Sequence, residues 1–581
     1  MNPVYRHTFT DIFPNQDSNL SELLKVIPLD ELKGLCIHLL ALEYSGNTKY
    51  DVLDIMISDK NKDLREHLRE RINQSEKLKR TQFPEINFTI LDSVSLLRLL
   101  EQAYALGDYE VRKTNSYELD IFKAVLLMNE MENQKTDLVG STIPITYTAT
   151  PKINSLILTW ALGQQELSNF HRKYWLTQSM IVQMIKFFIL FEFIQDKFPE
   201  LLSEFLKKFD AETPTHYFAR YLGIIHFIFS PTIEDGTINI NVPVNKDYEA
   251  NCNFIENFTL TDYDADIIDE EKKDFDVFRK KPLRKIETGK YQIIHPYFAI
   301  QKIFNSIYFE LRELYVGLNI AVASPSNSRN KFRSSYTFEF SEKYLVYRTL
   351  EKVLSNSVDI SLSGEFLSKK FNLQGEPDYY ARSGNTIFLF ESKDNLLSST
   401  IKSSFNFEII SEQLDKILNR KEGLTQIISN IERVLLKKNP FDSCYDINTV
   451  QIYPILITHK SDFDVNGMNN HLQGLFKLKL DELKKNNFNV DRVAPLTIVN
   501  IDTLILHEFI LSEKDMFYNM LRNYHNSVRS ASQNLNWETS QNYAESFMFY
   551  LNNQGRIIEK SELSYNYLRK KLLNPLGDKL G

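Results

Sequence analysis

Between Leu20 and about Pro231, apolar residues recur every three or four positions, as in Leu23, Leu24 and Ile27, then Leu32, Leu35, Ile37, Leu39 and Leu40. That spacing lines one side of a 3.6-residue helix and predicts a series of amphipathic helices. Pro28 and Asp30 fall where one helix should stop and the next begin. Further helices are predicted over 90–106, 117–132, 159–173, 178–197 and 199–209, with TIPITYT (Thr142–Thr148) as a short strand. No fixed period repeats, so a solenoid is not indicated.

The pattern changes at Thr237, where TININVPV alternates and gives way to an acidic run, Asp262, Asp264, Asp266, Asp269, Glu270 and Glu271, read as a linker or surface loop. Its D-x-D-x-D spacing is that of a calcium loop. Ile267 stands where such a loop needs glycine, however, and Lys273 where it needs glutamate, which argues against calcium. A basic stretch follows, Arg279, Lys280, Lys281, Arg284, Lys285 and Lys290, around a hairpin ending in YQIIHPYF. A solvated face paired with acids and a phosphate contact are both open readings of it.

From Phe338 the expected order is a helix at Ser341–Leu354, three strand-like segments at Gly364–Phe371, Pro377–Ala381 and Thr386–Ser392, a helical region over Ile409–Lys437, and strands at Val450–Thr458 and Leu496–Asn500. Helix, three strands, helix, strand is an α/β arrangement with helices packed on a central sheet. The chain then returns to helix and to a basic run, Arg569, Lys570 and Lys571. Four regions result: a helical N-terminal region (1–235) for regulation or interaction, a mixed linker (236–337), the α/β domain (338–512) and a helical C-terminal extension (513–581).

Composition sharpens this in three ways. Glycine and proline number only 18 each in 581 residues, in keeping with abundant helix. The net charge of −8 excludes a polycation that adheres to phosphate backbones everywhere, so any nucleic-acid contact must be local. Cys36, Cys252 and Cys444 lack a CxxC spacing, which argues against a disulfide framework or a structural zinc site and fits a reducing cytoplasm. The most apolar helix, Ile181 to Phe193, is interrupted by Gln183, Lys186 and Glu192, so no membrane span is expected. No signal-peptide core is seen at the N-terminus.

The chemistry concentrates in GEPDYYARSGNTIFLFESKDNLL, Gly375 to Leu397. Arg382-Ser383-Gly384-Asn385 is a good turn, and folding back there brings Asp378 near Glu391. Side chains alternate along a strand, so Glu391 and Lys393 share a face and Ser392 points away. Two acids buried together need a cation. Oxygen ligands from Asp378, Glu391 and the Ser392 carbonyl suit magnesium or manganese, with Lys393 placed to orient or deprotonate an attacking water.

Pro377-Asp378, a hairpin-length gap and Glu391-Ser392-Lys393 resemble the signature of the PD-(D/E)xK nuclease superfamily, whose fold is the restriction-endonuclease-like αβββαβ core. The resemblance spans roughly 338–512 and implies Asp378 and Glu391 as metal ligands and Lys393 as the catalytic lysine. It also implies a glutamate in the helix before the sheet, for which Glu342 is chosen and Glu351 held in reserve, and a glutamine on the following helix, Gln426. Relatives with a QxxxY signature carry tyrosine where Asn430 stands here, a departure from that subgroup.

A Mg2+-dependent endonuclease acting on DNA follows as the expectation, with Arg329, Lys331, Arg333, Lys402, Arg420 and Lys421 tracking the phosphate backbone. The rivals are an RNase of the same fold and a non-catalytic nucleic-acid or protein interaction module. His459, after the strand ILIT, is read as a loop residue. No GxxxxGK[ST], GxSxG or HExxH motif appears. The accessory helices resemble, in plan, those of bacterial restriction or anti-phage defence effectors, and cutting both strands would call for a homo-oligomer.

Overall fold

The computed structural model describes residues 4–45, 52–82, 84, 87–106, 117–164, 167, 173–229, 237–261, 264, 275–319, 323–420 and 423–554. The chain forms two compact units: Met1–Leu138 with Leu167–Met180 and Leu206–Ile307, and Val139–Glu166 with Ile181–Phe205 and Tyr308–Gly581. The boundaries differ from the four consecutive regions read in the sequence. Residues 139–166 and 181–205, expected in a separate helical region, belong with the sheet, because Leu158, Ala161 and Leu162 are buried in its core and the Phe193 ring meets Phe340 at a tilt and Tyr344 edge-on. The same unit takes in the linker from Tyr308 and the C-terminal extension.

The first unit is mainly helical. Helices Leu29–Ser45, Ser93–Ala105 and Tyr117–Leu138 pack in succession through Leu32, Leu39, Leu97, Leu100, Phe122 and Val125. Asn239–Asn241, Lys290–Ile293 and Leu283–Glu287 form a small antiparallel sheet, so the expected basic hairpin is present. Among its cations, Arg284 pairs with Asp30 and Lys285 with Glu256. Most of that run lies outside the described residues.

The second unit is built on a mixed five-stranded sheet. Its strands are β1 (Ile360–Ser363), β2 (Tyr379–Ser383), β3 (Thr386–Lys393), β4 (Gln451–Thr458) and β5 (Thr497–Asn500), in the spatial order β5-β4-β3-β2-β1. β1, β2 and β3 are antiparallel neighbours, while β4 and β5 run parallel to β3. The turn between β2 and β3 is made at Gly384, whose φ of 53° costs a glycine little. β3 is aromatic and β-branched, and helices cover both of its faces. Ile387 and Leu389 pack in the core with Ile427 and Ile431, whereas Phe388 and Phe390 meet Phe517 of the helix Met516–Gln533.

Helix α1 (Pro325–Ser335) continues through a π-wound stretch, Tyr336–Tyr347, into α2 (Arg348–Leu354). After β1 comes α3 (Gly364–Phe371), and after β3 comes α4 (Leu424–Leu435). Two expected strands are corrected. GEFLSKKF is helical because the Ser363 hydroxyl caps it, accepting from the Phe366 amide, and Leu367 is its buried contact; the strand is the preceding Ile360–Ser363. TIPITYT forms a turn, in which the Tyr147 amide donates to the Pro144 carbonyl at 3.0 Å, and Ile145 is fully exposed. Expected helix 159–173 begins earlier, at Lys152, and ends at Gly163; 165, 166 and 168–172 lie outside the described residues, as does the basic run at 569–571.

Trp175–Lys197 is a 23-residue helix long and apolar enough to cross a membrane, and 61% of its apolar stretch is buried within the protein. Lys186 in its middle is buried and paired with Asp502 at 2.7 Å, the arrangement of a core helix.

Candidate active site

Asp378 directly precedes β2, opposite Glu391 in β3, where the antiparallel register pairs Tyr379 with Phe390. The Ser392 amide donates to Asp378 Oδ2 at 2.6 Å, tying the two segments together. Lys393 Nζ donates to Glu391 Oε1 at 2.7 Å, so these two side chains share a face as alternation demands. Ser392 turns the other way, and its Oγ lies 2.9 Å from Nε2 of His459. His459 is therefore a buried partner of the strand rather than an open-loop residue, and burial lowers its pKa to about 4.

Glu342 reaches the same place from the π-wound stretch. Its carboxylate accepts from the Tyr347 hydroxyl. Burial and then the nearby Asp378 charge push Glu342 up to about 7, against the pull of Tyr347, Lys393 and Lys343. Glu391, only 1% exposed, is pushed well above the carboxylate range by burial and by Asp378, with Lys393 opposing and Glu342 adding to the rise. Three carboxylates thus feel one another beside Lys393, with Lys343 also acting on Glu342. Glu351, the reserve choice, is exposed on α2, and its charge acts on Tyr379.

The Gln426 amide nitrogen is taken up by the backbone that leads into the site. Nε2 donates to the Glu376 carbonyl at 2.7 Å, two residues before Asp378. Arg433, further along α4, donates to the carbonyls of Gln374 at 3.0 Å and Gly375 at 3.2 Å. Asn430, in the position of the absent tyrosine, is buried and donates back to the Gln426 carbonyl, while its own oxygen accepts from Arg433. One face of α4 thus fastens the backbone that leads into Asp378.

Sequence reasoning missed two contributors. Gly364 lies so close to Asp378 that an added Cβ would stand 2.8 Å from the Pro377 oxygen, and its amide donates to the Asp378 carbonyl at 2.8 Å. Asp394, directly after the motif, accepts from Ser341 Oγ at 2.6 Å and from Arg333. Burial alone would push the Asp394 carboxyl up, but His459, Lys460, Arg333 and the Ser341 hydroxyl hold it far below its ordinary value. A helix-starting glycine after a serine was the only sequence signal for Gly364; none marked Asp394.

The basic groups expected to follow a phosphate backbone are largely engaged. Arg333 is held by Asp394 and Lys402 by Asp462 at 2.8 Å, both pairs largely buried. Arg329 pairs with Glu313 and Arg420 with Asp415; Lys331 is exposed, and Lys421 lies outside the described residues. Among the described residues, no three His, Cys, Asp or Glu side chains converge as a metal-holding group. Compared with family models, curated proteins and solved structures, the chain matches none.

Proposed function

We propose that the sheet-bearing unit is a restriction-endonuclease-like, metal-dependent nuclease that hydrolyses phosphodiester bonds in DNA. The observation that carries this reading is the gathering of Asp378, Glu391 and Lys393 at the ends of adjacent strands, with Glu342 brought in by the preceding helix. Against Lys393, and Lys343 near Glu342, stand three carboxylates, two of which are still shifted upward by burial and by Asp378, so the donor set is short of positive charge. A hard divalent cation fits such an all-oxygen set. Asp378, Glu391, Glu342 and the Ser392 carbonyl would hold Mg2+, or Mn2+ in its place. When bound, that ion supplies Lewis acidity and lowers the pKa of a water. Lys393 orients the attacking water and offsets the charge that builds on the phosphate. Gln426 and Arg433 act through the backbone, keeping Asp378 in place.

One observation favours a second reading, a binding module of the same fold that does not cut: Lys393 already occupies a Glu391 oxygen, and no three-acid metal group is closed. A single experiment separates the readings. Plasmid DNA and an RNA of matched length are incubated with Mg2+ or with chelator, using wild type, Asp378→Ala, Glu391→Ala and Lys393→Ala. The nuclease reading expects Mg2+-dependent cutting of DNA and a loss of about 100-fold or more in each variant, the scale of a lost catalytic group. Cleavage of RNA alone would move the assignment to an RNase. Equal products from wild type and all three variants would sink it.

A further inference from the structure

Glu391, Ser392, Lys393 and Asp394 divide their side chains between two tasks. Glu391 and Lys393 pair with each other at the site, while Ser392 and Asp394 make their bonds elsewhere, Ser392 with His459 and Asp394 with the helix that carries Glu342. Asp394 binds that helix twice. Its Oδ2 accepts from Ser341 Oγ at 2.6 Å, and its backbone carbonyl accepts from Arg333, whose guanidinium also lies 3.4 Å from Oδ1. Ser341 and the Asp394 side chain are both buried, 2% and 4% exposed, so the bonds form where water competes little. Ser341 directly precedes Glu342, and successive helical residues point roughly a quarter turn apart. Fixing Ser341 therefore fixes the direction of Glu342.

We propose that Asp394 is a positioning residue that, through Ser341 and Arg333, latches the π-wound stretch and sets the Glu342 carboxylate against Asp378 and Glu391. This rests on the nuclease reading for its purpose and on geometry alone for its existence. The latch also accounts for Arg333 being withdrawn from the surface, and for a buried aspartate immediately after the motif.

Two measurements on the full chain test it. With glutamate labelled by 13C at the side-chain carboxyl, the Glu342 resonance is assigned by its loss in Glu342→Gln, then followed in Asp394→Asn, Ser341→Ala and Ser341→Thr. The latch expects that resonance to move in Asp394→Asn and Ser341→Ala and to stay near its wild-type position in Ser341→Thr, which keeps a hydroxyl. An unmoved signal in Asp394→Asn and Ser341→Ala overturns the proposal, whether or not the protein cuts. Mg2+ titration by calorimetry is the second readout. Asp394→Asn and Glu342→Gln are each expected to weaken Mg2+ about tenfold, and the double variant to be no weaker than Glu342→Gln alone, as for groups acting through one another. Multiplying effects would show the two to be independent and would overturn it. If wild type binds no Mg2+, the nuclease reading fails while the latch is still decided by the resonance; Ser341→Ala serves where Asp394→Asn does not fold.

Discussion

Gly364 and Asp378 are in backbone contact: the Gly364 amide donates to the Asp378 carbonyl at 2.8 Å, and no room remains for a methyl group, since a Cβ would lie 3.1 Å from the Asp378 Cα and 2.8 Å from the Pro377 oxygen. The atoms in the way are backbone and cannot rotate aside. Gly364→Ala is therefore expected to shift Pro377-Asp378, costing about 1–3 kcal/mol as overpacking does. The larger effect should fall on Mg2+ affinity and plasmid cleavage, because Asp378 is moved relative to Glu391. Calorimetry and cleavage beside a thermal melt check this: a lower melting temperature with unchanged Mg2+ affinity would show the contact to be structural only.

The clasp from α4 gives a graded expectation. Gln426 and Arg433 each donate to carbonyls of Gln374–Glu376, so either can be lost while the other remains. A net hydrogen bond of this kind contributes about 1 kcal/mol. Gln426→Ala and Arg433→Ala should each reduce cleavage by roughly fivefold to tenfold, far less than Asp378→Ala, and the double variant should lose more than the two losses multiplied. A loss in Gln426→Ala equal to that in Asp378→Ala would instead put Gln426 on the substrate.

The parts of this site that were legible in the sequence are the local ones. Period-two alternation placed Glu391 with Lys393 and turned Ser392 away, and the turn at Gly384 fixed which residues of β2 and β3 meet. Glu342, chosen by resemblance, acts electrostatically with Asp378 and Glu391, whereas the reserve Glu351 is exposed on α2. What stayed hidden depends on partners remote in sequence. Arg333 and Lys402 read as free cations because nothing local reveals that Asp394 and Asp462 neutralise them. Residues 139–166 and 181–205 read as part of one helical region because amphipathic spacing says that a face is buried, not against what. Gly364–Phe371 read as a strand because a run of eight with mixed apolar spacing fits either period.

Beneath the same strands lies a buried ionic knot whose removal should be felt as stability. Asp442 Oδ2 accepts from Arg382 Nε at 2.7 Å and from the Tyr380 hydroxyl at 2.6 Å, with the Asp442 side chain fully buried. Asp442→Ala leaves the buried guanidinium with only Asp359 at 3.5 Å and the Gly384 carbonyl, and takes the acceptor from the Tyr380 hydroxyl, and is expected to cost about 3 kcal/mol. Replacing both charges, as in Arg382→Met with Asp442→Leu, should recover most of that loss, because two desolvated charges are exchanged for packed apolar groups. Denaturant midpoints of the three proteins decide it; a double variant no more stable than Asp442→Ala would mean that the knot is needed for the shape of β2.

Acid should unfold this protein earlier than its carboxylates alone would dictate. Burial lowers His459, His471, His507 and His525 to about 4, in each case as the largest cause. In the unfolded chain these imidazoles titrate near 6.5, so between about pH 6.5 and 4 the unfolded state binds protons that the folded state refuses. Stability contributed by the four groups is thus complete above pH 6.5 and is lost as pH falls through that window. Asp464 has the opposite sign: buried and raised to about 8, it keeps its proton in the folded state, so its contribution is complete below its unfolded value and drains away as pH rises toward 8. A stability maximum between the two limbs is expected. Unfolding at pH 5 should take up about 3.5 protons at these four histidines, measurable by calorimetry in buffers of different ionisation enthalpy. Asp464→Asn, which mimics the protonated acid, should match wild type below about pH 4 and exceed its melting temperature by a margin that widens from there to about pH 8; a margin that does not widen with pH would show that Asp464 is ionised in the native state.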